Sequence, residues 1–291
     1  MSTIERAAAR LGSIGLRQDS AEPKGPLAQG RSPAPMPHPS VGGGFVELDL
    51  AALAERGFAT PQNAQTPLAV EFRRIKRPLL LNVKQGQAQQ ADENPPNLIM
   101  ITSAVPHEGK TFVAANLAMS IAAEVDLSAL LVDADVTKGD VTRVLGLQNE
   151  YGLSDLLQRG ATFIEDAVVH TNLEHFSILP AGRPDPNIDE LFASDVMIQV
   201  TRALALQNPG RIVILDAAPL LAATEASVLA RLVGQVVVVV EADKTPQAKV
   251  TEALEHLEGC RSVSLVLNKV SRRAGEAYYG YGYGTAGAGG A

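Results

Sequence analysis

The stretch Leu98-Ile-Met-Ile-Thr-Ser-Ala-Val-Pro-His-Glu-Gly-Lys-Thr-Phe112 decides the fold. Its first five residues form an apolar run of strand length, and the pattern from Lys110 to about residue 123 fits a helix. Strand, glycine-containing loop and helix, in that order, are the context a phosphate-binding loop requires. The loop Ala104, Val105, Pro106, His107, Glu108, Gly109, Lys110, Thr111, with Phe112 just inside the helix, is expected to wrap phosphates with its backbone N–H groups. The helix N-terminus adds partial positive charge. Lys110 supplies a mobile cation for the β- and γ-phosphates, and the Thr111 hydroxyl is a ligand for Mg²⁺. Gly109 stands where a side chain would block close approach, while Ala104 takes the place where the general pattern starts with glycine.

Outward from this loop, strands and helices alternate. Short apolar runs rich in Val, Ile and Leu at 129–132, 176–179, 212–215, 236–240 and 263–267 read as strands, mostly covered on both faces. Helical patterns fit 66–80, 110–123, 153–159, 187–206, 224–233 and 246–258. The alternation predicts an α/β domain with a mostly parallel sheet flanked by helices, the P-loop NTPase fold. The run at 129–132 ends in Asp133-Ala-Asp135, and the run at 212–215 ends in Asp216. Ligands of open α/β sheets lie at the carboxyl ends of strands, where all three acids fall. Carboxylates buried there need a cation, and Mg²⁺ fits. For Asp216 a turn or capping role ahead of Pro219 is the alternative.

Composition bounds the rest. Of 291 residues, 46% are apolar, enough for one large core. The net charge of -7, with no long basic run, disfavours wholesale binding to nucleic acid or an acidic membrane surface. Cys260 is the only cysteine, which excludes an intrachain disulfide and a CxxC site. The N-terminus lacks the apolar core of a signal peptide, and no apolar run approaches the roughly 18 residues that span a bilayer. A soluble cytoplasmic chain is expected. Residues 1–16 read as a short amphipathic helix, and 17–65 as a mostly disordered Pro/Gly-rich linker. Residues 66–270 are the P-loop domain, and 271–291 a flexible Tyr/Gly-rich tail.

Five segments in order resemble the bacterial tyrosine autokinases of exopolysaccharide loci, in particular the exosortase-linked branch. They are Glu71-Phe-Arg-Arg74-Ile-Lys-Arg77, matching an ExxRxxR motif; the loop at 103–118; LLVDADVTKGD at 130–140; ILDAAPLL at 214–221; and YYGYGYG at 278–284. The resemblance covers roughly residues 66–291. It implies ATP and Mg²⁺ as cofactors, with Lys110 and Thr111 holding both. Asp133 would bind the metal and draw the proton from the attacking tyrosine, while Asp135 and Asp216 would hold the metal through water. Asn268 would approach the adenine. Tyr278, Tyr279, Tyr281 and Tyr283 become phosphoacceptors, and the kinase acts in trans within a ring-like homo-oligomer whose contacts include Glu71, Arg74 and Arg77. A membrane-anchored chain-length regulator is the implied partner, recruiting the chain to the inner membrane. Where the family usually has arginine in the second acidic motif, this chain has Thr137, with Lys138 beside it.

Other readings of the same residues stand beside this one. The tail by itself also suits a sticky low-complexity segment, and the Glu71, Arg74, Arg77 spacing also suits a solvated helix face. The partitioning and division-site ATPase switches share the sheet, but they carry a second lysine four residues before the glycine of the loop, where this chain has Val105. A binding protein that holds ATP without turnover is the third alternative, set against the intact Lys110, Thr111, Asp133 and Asp216.

Overall fold

The computed structural model describes residues 44–88, 94–147, 151–208 and 210–271. The expected N-terminal helix, the linker as far as residue 43, and the tyrosine cluster lie outside these residues. In chain order the elements are β1 (Phe45–Val46), α1 (Leu50–Glu55), a 3₁₀ turn (Pro61–Asn63), α2 (Pro67–Ala88), β2 (Leu98–Ser103), α3 (Lys110–Ala122), β3 (Ser128–Asp133), α4 (Asp140–Leu145) and α5 (Leu153–Arg159). There follow a second 3₁₀ turn (Ala161–Phe163), α6 (Ile164–Ala167), β4 (Val169–Thr171), β5 (Phe176–Leu179), α7 (Ile188–Phe192) and α8 (Asp195–Leu206). The chain continues through β6 (Arg211–Asp216), α9 (Thr224–Ala230), β7 (Gln235–Glu241), α10 (Gln247–Glu255) and β8 (Val263–Asn268).

The eight strands form one sheet in the order β1-β4-β5-β3-β6-β2-β7-β8. Every pairing is parallel except β4 with β5. The strand side chains alternate between two apolar clusters. Leu98, Met100, Leu130, Val132, Val213, Leu215, Val236 and Val238 face one cluster, shared with α5, α8 and α9. Ile99, Ile101, Leu131, Ile214, Val237 and Val239 face the other, filled by α2 and α3. Helices on both faces are the reason these strands read as unbroken apolar runs. Because β3, β6, β2, β7 and β8 run in one direction, their last residues, Asp133, Asp216, Ser103, Glu241 and Asn268, share one edge of the sheet.

Three sequence expectations need correction. Residues 44–65 belong to the folded body, not to a linker. Leu48, Leu53 and Phe58 are buried in the cluster around α3, and the Asp49 side chain caps α1 by accepting from Ala52 N (2.9 Å). The helical pattern at 187–206 is two helices, interrupted at Ser194, whose extended backbone (φ -90°, ψ 162°) stops the first before Asp195 opens the second. The helix read at 66–80 runs on to Ala88 through Pro78. There the missing N–H removes one intrahelical bond, and tertiary anchors hold the helix in place. Next to the proline, the buried Lys76 ammonium donates to Ser120 O on α3 and pairs with Glu124.

Candidate active site

The chain leaves β2 at Ser103 and turns back on itself before α3. Ala104 is fully buried in the core, so its methyl group packs where the general pattern has glycine. Val105 is half-buried, and Pro106 and His107 are exposed. Two positive φ angles, 71° at His107 and 93° at Gly109, make the turn. A Cβ on Gly109 would stand 2.3 Å from Asn268 Nδ2, which shows how closely the end of β8 lies behind the loop. The Phe112 ring is packed between Phe58 (5.2 Å) and Phe72 (6.3 Å), so only its backbone, in the first turn of α3, remains for a phosphate.

Lys110 opens α3 and is 5% exposed. Its Nζ lies 2.8 Å from Asp135 Oδ2 and 3.7 Å from Asp216 Oδ1. Burial alone would lower its pKa, but the Asp216 and Asp135 charges outweigh burial and hold it above the usual lysine value. Asp133 Oδ2 accepts from Thr142 N and Oγ1, both at 3.1 Å. Burial raises the Asp133 carboxyl to about 6 and the Asp216 carboxyl to about 7, the latter opposed by Lys110 and by the Thr111 side chain.

The fit to a divalent cation follows from what these acids lack. Asp133 Oδ1 is buried without a hydrogen-bond donor, Asp135 Oδ2 has only the Lys110 ammonium at 2.8 Å, and neither Asp216 oxygen has a donor in good hydrogen-bond geometry. Three buried carboxylates face a single ammonium. A hard cation is the chemistry this oxygen set suits, since buried anions left unpaired are costly. No group of three or more His, Cys, Asp or Glu forms a metal cage among the described residues. Mg²⁺ needs none, because it keeps several waters and takes one or two carboxylates together with substrate phosphates.

The structure thus brings Lys110, Thr111, Asp133, Asp135 and Asp216 together at the head of α3. Asn268 is beside them, but its side-chain N–H donates to Glu108 O (2.9 Å), which ties it to the loop. Glu71, Arg74 and Arg77 are exposed on α2. Glu71 and Arg74 line an open groove of about 660 Å³ against β8, from Leu265 to Val270. Thr142 is a site residue absent from the sequence expectations, which assign no element to 140–145 (α4). Its signal lay in Gly139 and Gly146, which bracket the helix with positive φ at both ends.

No family model matches the chain. It is 35% identical over 187 residues to the tyrosine-protein kinase YwqD of Bacillus subtilis, a match covering 62% of this chain and 77% of that one. It is 32% identical over 220 residues to the tyrosine-protein kinase wzc of Salmonella typhimurium, covering 75% of this chain but 29% of that longer protein. Among solved structures, the kinase domain of the Escherichia coli tyrosine kinase ETK superposes with a TM-score of 0.65 at 29% identity, covering 82% of this chain and 94% of that one. Among the described residues no helix is long and apolar enough to cross a membrane. The identity to YwqD over most of its length, the ETK-like sheet and the loop with its acids at one sheet edge agree: this chain belongs to the bacterial tyrosine-protein kinases.

Proposed function

We propose that the chain is an ATP- and Mg²⁺-dependent autokinase that phosphorylates its own tyrosine cluster, Tyr278, Tyr279, Tyr281 and Tyr283, in trans within a ring-like homo-oligomer. The observation that carries this reading is the Lys110 ammonium held among Asp133, Asp135 and Asp216 at the start of α3. Thr111, Asp133, Asp135 and Asp216 would hold Mg²⁺, which when bound neutralises phosphate charge. Lys110 leaves its carboxylates for the β- and γ-phosphates and offsets charge as the phosphoryl group transfers. A tyrosine oxygen attacks the γ-phosphorus, the bond to the β,γ-bridging oxygen breaks, and ADP departs. Asp133 accepts the phenolic proton. Asn268 would border the adenine, and Glu71, Arg74 and Arg77 would meet a neighbouring subunit.

Acting in the cytoplasm, the enzyme would regulate exopolysaccharide polymerisation and export in an exosortase-linked system. A membrane-anchored chain-length regulator would serve as its partner. Val105, where an ATPase switch has its second lysine, supports the kinase reading over that alternative. Incubation with ATP and Mg²⁺ followed by mass spectrometry should find phosphotyrosine between 278 and 283. Mixing full-length Lys110→Met with an otherwise unaltered chain ending at 271 should place phosphate on the Lys110→Met partner. No phosphotyrosine in either experiment would refute the reading.

A further inference from the structure

Glu108 is the wrong charge for a loop that cradles phosphates, unless that charge is spent elsewhere. The structure shows where it goes. The side chain is turned inward, with the residue 1% exposed, and each oxygen has donors. Oε2 accepts from Val105 N (2.7 Å), within the loop itself. Oε1 accepts from Glu241 N (3.1 Å), the last residue of β7, and from the Thr245 hydroxyl in the connection to α10. The outer side of the same junction is closed by Lys269. Its Nζ donates to His107 O (2.6 Å) and pairs with Glu241 (3.0 Å). Among the described residues, four non-glycine residues have positive φ, and three of them, His107, Asp243 and Lys269, sit at this junction. Left-handed backbone at such residues carries a cost and persists only where surrounding contacts enforce it.

We propose that Glu108 is a positioning residue for nucleotide binding: its carboxylate clamps the phosphate loop to the β7–α10 connection and presets the direction of the loop amides. The inference rests on the loop being a nucleotide site, but not on the identity of the phosphate acceptor. A carboxylate is needed because both oxygens face donors only. Glutamine must turn its NH₂ toward one set of donors and lose it.

The test is calorimetric ATP–Mg²⁺ affinity of the full chain, together with KM for ATP and kcat. Hydrogen bonds to charged groups set the expected scale: Glu108→Gln should weaken ATP binding about tenfold or more and raise KM in step, with kcat falling much less. Thr245→Val, which removes one neutral donor, should weaken binding about threefold. A purely structural role would lower the melting temperature and leave affinity well below that temperature untouched. Affinities of Glu108→Gln and Thr245→Val both within a factor of about 1.5 of the parent would overturn the clamp. If Glu108→Gln fails to fold, Thr245→Val decides the matter by the same limit. A parent that binds ATP yet forms no phosphotyrosine would refute the kinase reading and leave the clamp standing.

Discussion

The Lys110 ammonium is both a tool and a counter-charge, since it stands 2.8 Å from Asp135 and 3.7 Å from Asp216. Lys110→Met should abolish autophosphorylation, a loss of at least about a hundredfold for a group that stabilises transferring charge. It also leaves buried carboxylates without a partner, so it should unfold more readily than the parent as pH rises. The parent carries a milder form of the same dependence. Asp133 and Asp216 titrate near the ordinary 3.8 when unfolded, but at about 6 and about 7 when folded. Between those limits the native state holds more protons than the unfolded one, so their contribution to stability falls as pH rises from about 4 to 7. Thermal melts in EDTA should show this decline, and Asp216→Asn should flatten it; an equal slope in parent and variant would contradict the assignment. The reactive residues were legible because a strand, a loop and an acid at a strand end are local patterns. The role of Glu108 was not legible, since its donors at 241 and 245 lie more than 130 residues away in sequence.

At the scale of elements, β2, β3, β6 and β7 were legible because helices cover both sheet faces and leave almost no polar residue inside them. In β8, by contrast, Val263, Leu265 and Leu267 are exposed, and apolar content alone marked the strand. Short elements were not. β1, β4 and α4 have 2, 3 and 6 residues, too few to display a period. The segment before α2 was masked by the proline-rich run preceding it, yet Phe58 is buried against the Phe112 ring, and Ala59 N donates to Asn116 Oδ1 on α3 (2.6 Å). Removing residues 1–43 should therefore leave stability and ATP binding intact, whereas removing 1–65 should expose α3 and yield an unstable protein. Phe58→Ala should cost about 3–5 kcal/mol, the range for a buried aromatic. Urea titration of the three proteins checks this ordering, and equal midpoints for the two truncations would restore the longer linker.

For the whole molecule, charge sets the expected behaviour of the assembly. The chain carries -7, and four phosphotyrosines would add roughly -6 to -8. The segment 278–284 has no charged side chain before the reaction and would be strongly repelled from a neighbour's acidic site after it, so in the proposed ring phosphorylation should drive the subunits apart. Light scattering should find large particles in dephosphorylated samples and small ones in phosphorylated samples, with the gap narrowing as salt is raised. Equal sizes would refute the switch.

The position of β2 between β6 and β7 has a consequence for the newborn chain. Leu98 meets Val213 and Ile99 meets Gln235, so the strand that carries the phosphate loop finds both neighbours only after more than a hundred further residues have emerged. At roughly 5–20 residues per second, that delay is on the order of ten seconds. During it the ribosome holds an apolar strand with open edges and a loop that lacks the backing of residues 241 and 268. Nucleotide cannot help this fold begin; it can only seal it once residue 268 has emerged.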